Sequence, residues 1–258
     1  MPATLITGAS SGIGLELARI FARNRHDLVL VARTESKLHE LAAEAQTSGV
    51  RAHVIAADLS APGAAQALTE RVRTLGVDVD ILVNNAGYGL LGPFVETPLD
   101  VELSMIQLNI VALTELTKRL LPGMVARKNG RILNLASTAA FFPGPLMAVY
   151  YASKAYVLSF SEALATELEG TGVTVTALCP GPTASGFQAA AHLEQSRMIA
   201  GKRLPTARSV AEAGYQATMT GTTVAVPGVS NKLALLLPRI LPRRLVAKIV
   251  EKAQERRA

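Results

Sequence analysis

A single cysteine, Cys179, excludes an internal disulfide, and its place in the apolar run VTVTALCP is that of a buried, inert thiol. That usage fits a reducing compartment. No stretch approaches the roughly 18 uncharged apolar residues that a spanning helix requires, which argues against an integral membrane protein. The N-terminus, MPATLITG, enters an apolar run with no charged region and cleavage site ahead of it, so a cytoplasmic location is expected. Metal-binding spacing is missing too, because His26, His39, His53 and His192 are scattered singly along the chain. There is no G-x-S-x-G elbow of a serine hydrolase, no nucleic-acid motif, no internal repeat and no linker that divides the chain.

Of 258 residues, 49% are apolar, enough for a large core in one α/β unit. The net charge of +6 is unevenly placed: eight basic residues and two glutamates follow Asn231, and the preceding chain is neutral. A basic groove across the body is therefore excluded. Short apolar runs suited to buried parallel strands occur at Thr4–Thr7, Leu28–Ala32, His53–Ala57, Ile81–Val83, Arg131–Ala136, Val173–Cys179 and Thr223–Val226. Between them lie amphipathic segments at Ile13–Asn24, Glu35–Ser48, Ala64–Leu75, Asp100–Leu121, Tyr150–Glu169 and Ser209–Met219. This alternation predicts a single-domain, doubly wound α/β sheet of about seven parallel strands with helices on both faces, binding ligand at the carboxyl ends of its strands. That domain would occupy residues 1–230. The stretch from Pro182 to about Pro205 reads either as a lid over that edge or as an irregular surface insertion.

After the first strand comes Gly8-Ala9-Ser10-Ser11-Gly12-Ile13-Gly14, then an amphipathic segment. Glycines at a strand-to-helix turn permit positive φ and the close approach of a diphosphate, which the helix N-terminus stabilises. A dinucleotide site follows. The second strand ends at Arg33, with no acid until Glu35. An acid there would take a ribose hydroxyl, whereas an arginine pairs with a 2′-phosphate, so NADP is favoured with NAD as second choice. A solvated surface arginine is the plainer reading.

Two tyrosines in Tyr150-Tyr151-Ala152-Ser153-Lys154 each lie within one helical turn of the same lysine, and helix geometry does not choose between them. Taken with TGASSGIG, with Asn84-Asn85-Ala86-Gly87 after the fourth apolar run and with Ser137 after the fifth, the stretch resembles the short-chain dehydrogenase/reductase family. The resemblance covers Thr4 to Gly228 and implies a Rossmann-type fold and hydride transfer between a nicotinamide and a carbonyl or alcohol carbon. It implies Tyr150 as the acid, with Lys154, Ser137 and, through a proton relay, Asn109. For the cofactor it implies Gly8, Ser10, Ser11, Gly12, Ile13 and Gly14 at the diphosphate, Asp58 and Leu59 at the adenine, and Asn85, Ala86 and Gly87 along the cleft. Tyr150 and Lys154 also face the cofactor. The family's Pro-Gly-x-Val/Ile-x-Thr after the sixth strand is here Pro180-Gly181-Pro182-Thr183-Ala184-Ser185, with Thr183 and Ser185 as the hydroxyls. A homodimer or homotetramer through the two long helices is implied as well.

A phenol of pKa about 10 is a poor acid near neutrality, and a cation one turn away is expected to lower it. Ser137 would supply a second donor to the substrate oxygen. Tyr88, Phe94, Phe141, Phe142, Met147 and Phe187 make the neighbouring loops apolar, which suits a lipophilic carbonyl substrate or, equally, ordinary packing. Residues 231–258 form a basic amphipathic tail in which Leu237, Leu241, Leu245 and Ile249 fall at helical spacing across Pro238 and Pro242. Weak peripheral membrane contact is one reading of it, and packing on its own domain or a partner subunit is the other. An NADP-dependent oxidoreductase is the expectation, with a non-catalytic NADP-binding sensor or scaffold, or an epimerase on the same fold, as the alternatives.

Overall fold

The computed structural model describes residues 2–255 except 192, 194, 195, 198, 200 and 202. His192 therefore lies outside the described residues. Seven strands form one parallel sheet: β1 (Ala3–Thr7), β2 (Asp27–Ala32), β3 (Ala52–Ala56), β4 (Val79–Asn84), β5 (Gly130–Leu135), β6 (Val173–Leu178) and β7 (Val224–Ala225), in the order β3-β2-β1-β4-β5-β6-β7. Every residue of β1 and β2 is buried, as a strand covered on both faces requires. Ile6 stands between Leu30 and Val83 at the centre of the sheet.

One face carries α1 (Gly12–Arg23), α2 (Glu35–Gln46) and α8 (Ala207–Thr220), packed through Leu17, Phe21, Leu38 and Val210. The edge of Phe21 meets Tyr215 at 5.0 Å. The other face carries α3 (Ala64–Thr74), α4 (Leu99–Ile106), α5 (Leu113–Ala126) and α6 (Ala148–Glu167). A π-turn at Gln107–Ala112 joins α4 to α5. A buried polar chain also links this layer to the sheet: Asn84 Nδ2 donates to Asn134 Oδ1 (2.9 Å) and Thr117 Oγ1 (3.1 Å), and Asn134 Nδ2 donates to Ser161 Oγ (2.9 Å). Both carboxamide nitrogens thereby find acceptors, whereas Asn84 Oδ1 is buried without a partner among the described residues.

Strand order reverses between β1 and β4, which opens the crevice where such sheets take ligands. Thr7 stitches its floor. Its Oγ1 accepts from the N–H groups of Asn85 and Ala86, both at 3.0 Å, and donates to Val83 O.

The segment after β6 crosses this edge with a short helix, α7 (Phe187–Ala190), and returns to the body where Ala184 bridges Thr206. Three further helices follow β7: α9 (Val229–Ala234), α10 (Leu237–Ile240) and α11 (Arg243–Gln254). The helix α11 lies back on the domain with Val246, Val250 and Gln254 buried. This stripe runs one residue later than the Leu237, Leu241, Leu245, Ile249 spacing. Pro238 and Pro242 interrupt the helix, as a residue without an N–H requires, and α11 starts its own phase at Arg243. Among the described residues, no helix is long and apolar enough to cross a membrane.

The start of α1 is tightly set. A Cβ on Gly14 would stand 2.4 Å from both Gly8 O and Asn85 Nδ2, and the carbonyl belongs to backbone that cannot swing away. Gly14→Ala is expected to lower stability by about 1–3 kcal/mol in urea unfolding, as overpacking does, despite alanine's better helix propensity.

Candidate active site

A cavity of about 910 Å³ runs over the carboxyl ends of the strands, from Arg33 and Asp58 at one end to Phe187 and Gln254 at the other. The polar end is built by the glycine turn. Gly8 and Gly12 have φ of +68° and +57°, and a Cβ on Gly8 would meet Asn85 Nδ2 at 2.7 Å. Ser11 starts α1 without a side-chain cap, and no acid occupies the first turn, so neither the cap nor the first turn offsets the positive end of the helix. A cradle of backbone N–H groups without side chains, at an unneutralised helix start, fits the diphosphate of a dinucleotide.

Ser10, Ser11, Gly12, Ile13, Arg33, Asp58, Leu59, Asn85, Ala86 and Gly87 all line this cavity with Gly8. Gly14 does not; its place is the packing of α1 against the turn. Arg33 is exposed and, among the described residues, forms no ion pair or hydrogen bond. Ser60, through its hydroxyl (2.6 Å) and its N–H (2.9 Å), holds the Asp58 carboxyl below the ordinary carboxylate range, and the Arg33 charge adds to this. Pro180, Gly181, Thr183 and Ser185 form the facing rim. The Ser185 Cβ would lie 3.4 Å from a Cβ on Gly12, so the segment after β6 touches the diphosphate turn.

Midway lie Ser137, Tyr150 and Lys154. Ser137 leaves β5 in extended conformation; its Oγ accepts from Ala139 N–H (3.1 Å) and donates to Pro180 O (3.4 Å). Tyr150 and Lys154 rise from the first turns of α6, and Lys154 Nζ donates to Leu135 O at 2.7 Å. The ammonium stands 5.9 Å from the Tyr150 ring centre. Burial pushes the Tyr150 phenol up to about 12, with a hydrogen bond from Ser137 opposing, and pushes Lys154 down to about 8. Desolvation among Tyr151, Phe187 and Met147 is the largest effect on the phenol. The phenol is held in its donating form. Burial likewise pushes the Cys179 thiol up to about 12.

Asn109 stands behind the wall rather than in it. Its Oδ1 accepts from Tyr88 N–H (3.2 Å), and its Nδ2 donates to Tyr88 O (3.0 Å) and Ser153 Oγ (3.0 Å). Buried at the π-turn and bonded on both carboxamide atoms, it positions the Tyr88 loop against α6. Among the proposed substrate residues, Tyr88, Phe142, Met147 and Phe187 line the cavity. Phe94 and Phe141 do not: Phe94 is 63% exposed, and Phe141 packs against the cluster of Leu113, Val157 and Cys179.

The apolar end has a wall that local spacing does not announce. Ile249, Val250, Ala253 and Gln254 of α11 line it together with Leu193, Ile199 and Leu204 from the crossing segment. Gln254 Nε2 donates to the Tyr151 hydroxyl at 2.7 Å, with both side chains buried. This contact separates the two tyrosines: the phenol of Tyr151 is tied to α11, whereas that of Tyr150 faces Ser137.

The family described as short chain dehydrogenase matches residues 2–196. A very-long-chain 3-oxoacyl-CoA reductase of Phaeosphaeria nodorum is 41% identical over 176 residues, covering 66% of this chain and 52% of the relative. The chain thus spans about half the length of that relative. The ketoacyl reductase HetN of Nostoc sp. is 33% identical over 244 residues, covering 92% of this chain and 84% of HetN. Among solved structures, a short-chain dehydrogenase from Sphingobium yanoikuyae in complex with NADPH superposes with a TM-score of 0.83 at 34% identity, covering 92% of each chain.

Gln254→Ala should leave the buried Tyr151 hydroxyl without its partner. A stability loss of about 1–3 kcal/mol by urea unfolding is expected, and Gln254→Ala combined with Tyr151→Phe should recover part of it.

Proposed function

This chain belongs to the short-chain dehydrogenase family, and from that premise we propose that it is an NADPH-dependent reductase of a lipophilic ketone, with a 3-oxoacyl thioester as the favoured substrate class. The observation that carries the reading is one continuous cavity joining the glycine cradle, the Ser137–Tyr150–Lys154 group and an apolar end walled by Phe142, Phe187 and Val250. Oxidoreductases of this family bind NAD or NADP, and the bound cofactor supplies or receives the hydride at carbon.

On this reading the chain's own residues manage the oxygen. Tyr150, neutral and buried, donates its proton to the carbonyl oxygen as negative charge develops there. Ser137 offers a second hydroxyl to the same oxygen, an electrostatic contribution of the oxyanion-hole kind. Lys154, a cation with little competing solvent, favours the phenolate that proton donation leaves behind and would hold the ribose hydroxyls of the bound cofactor. Arg33, unpaired at the mouth of the polar end, supports a preference for the 2′-phosphate. The apolar end and the 3-oxoacyl and ketoacyl reductases among the relatives support the substrate class. Exposed Leu99, Leu103, Val111 and Tyr156 on α4 to α6 support association into homo-oligomers.

Loss of absorbance at 340 nm with NADPH and a panel of 3-oxoacyl thioesters, ketones and aldehydes tests the reading. Turnover with the longer 3-oxoacyl compounds is expected. NADPH binding without turnover of any carbonyl would instead support a sensor or scaffold, and inversion of a chiral alcohol without net cofactor consumption would support an epimerase. Tyr150→Phe should reduce kcat by about 10²–10⁴-fold, the scale of a lost proton donor, while NADPH still binds; Tyr151→Phe should retain turnover. Arg33→Ala should raise KM for NADPH by at least about tenfold and leave that for NADH nearly unmoved, consistent with the loss of one charge-assisted contact.

A further inference from the structure

The C-terminal helices carry seven large apolar side chains in the open: Val229, Leu233, Leu236, Leu237, Ile240, Leu245 and Ile249 are 37% to 74% exposed. Interleaved with them, Lys232, Arg243, Arg244 and Lys248 are exposed, and the first acid after Gly228 is Glu251. Monomeric proteins seldom leave so much apolar surface in one place without a use for it. This face is also held in position. Val246, Val250 and Gln254 anchor the inner side of α11 on the domain, and the end of the helix is tied to the segment crossing the cavity, where Arg197 N–H donates to Glu255 O at 2.9 Å. Ala234 and Ile249 are exposed on this face and at the same time line the cavity, so the cavity opens beside the apolar ridge.

We propose that this face docks peripherally on an anionic lipid bilayer, with the ridge in the headgroup region and the cations against the lipid phosphates. The mix of apolar ridge and unbalanced positive charge selects that occupant. A second copy meeting the same face would bring two net-positive surfaces together with no acid between Gly228 and Glu251 to offset them, which opposes association. A polyanion such as RNA would use the cations and leave the ridge unsatisfied. Docking places the cavity mouth at the membrane surface, from which a lipophilic carbonyl compound enters directly; this consequence rests on the function proposed above, whereas the docking does not.

Flotation of the full-length chain with vesicles of phosphatidylglycerol and phosphatidylcholine, and with phosphatidylcholine alone, tests it. Recovery with the anionic vesicles should exceed that with the neutral ones by at least about tenfold, and should fall steeply at about 1 M salt, where the screening length is about 3 Å. Arg243→Glu with Arg244→Glu should abolish flotation while circular dichroism shows the fold intact, and Leu233→Ser with Ile240→Ser should weaken it. Equal recovery with both vesicle types, or none with either, overturns the proposal. So does a soluble dimer that the Leu233→Ser, Ile240→Ser protein fails to form, because that result assigns the face to a second copy. NADPH oxidation measured without vesicles keeps the two readings apart: an active protein that does not float refutes docking alone, and a floating protein without turnover refutes the enzymatic reading alone.

Discussion

The Lys154 ammonium, 6% exposed and donated at 2.7 Å to the carbonyl of Leu135, is the contact on which the centre of this molecule is arranged. A buried cation is costly unless it is hydrogen-bonded, and the end of β5 supplies that bond. Leu135 lies two residues before Ser137, and Tyr150 lies one helical turn before Lys154. The single bond therefore holds the strand that carries the hydroxyl and the helix that carries the phenol in fixed register. The end of β4 closes on the same point: a Cβ at Gly87 would come within 3.5 Å of Lys154 Nζ and 2.8 Å of Asn109 Oδ1. Burial is also what gives these groups their protonation states, a neutral Tyr150 and a Lys154 whose proton is held weakly.

Around that centre the cavity has two ends of different character. The end at β1 and β2 is backbone, hydroxyls, the Asn85 carboxamide, the Asp58 carboxylate and an arginine that forms no ion pair among the described residues, and it suits a polar, charged ligand. The other end is assembled from the segment after β6 and from α11, and it is mainly apolar, with Gln188, Arg203 and Gln254 among its lining residues. On the proposed function, the cofactor lies on the rigid sheet edge and selectivity for a particular carbonyl compound falls to elements that arrive late in the chain. The residues after Asn231 hold all of the net charge, and their helices form both a wall of the cavity and the basic apolar face outside it.

The inner strands β1 and β2 were legible in the sequence because both are covered on both sides, so that their runs are almost wholly apolar: Leu28–Ala32 is one, and all of β2 is buried. The glycine turn was legible because the positive φ of Gly8 and Gly12 demands glycine. Three features were not. Asn109 occurs in a motif whose residue type is right, but its bonds to Tyr88 and Ser153 depend on a π-turn that periodicity does not encode. Phe94 and Phe141 were grouped with the cavity by composition, which does not say which way a loop side chain turns. Gln254 and Tyr151 are 103 residues apart, and nothing local in either segment announces the other.

The pH dependence of kcat for carbonyl reduction, compared between this chain and its Lys154→Met variant, tests the central claim most directly. The sign follows from burial: Lys154 is charged below about 8 and loses its proton above it. Reduction by the unaltered chain is predicted to decline as pH rises through that value, and the residual activity of Lys154→Met should show no inflection there. An inflection near pH 8 that persists in Lys154→Met, or a flat profile from about pH 6 to 10 in the unaltered chain, would contradict the account.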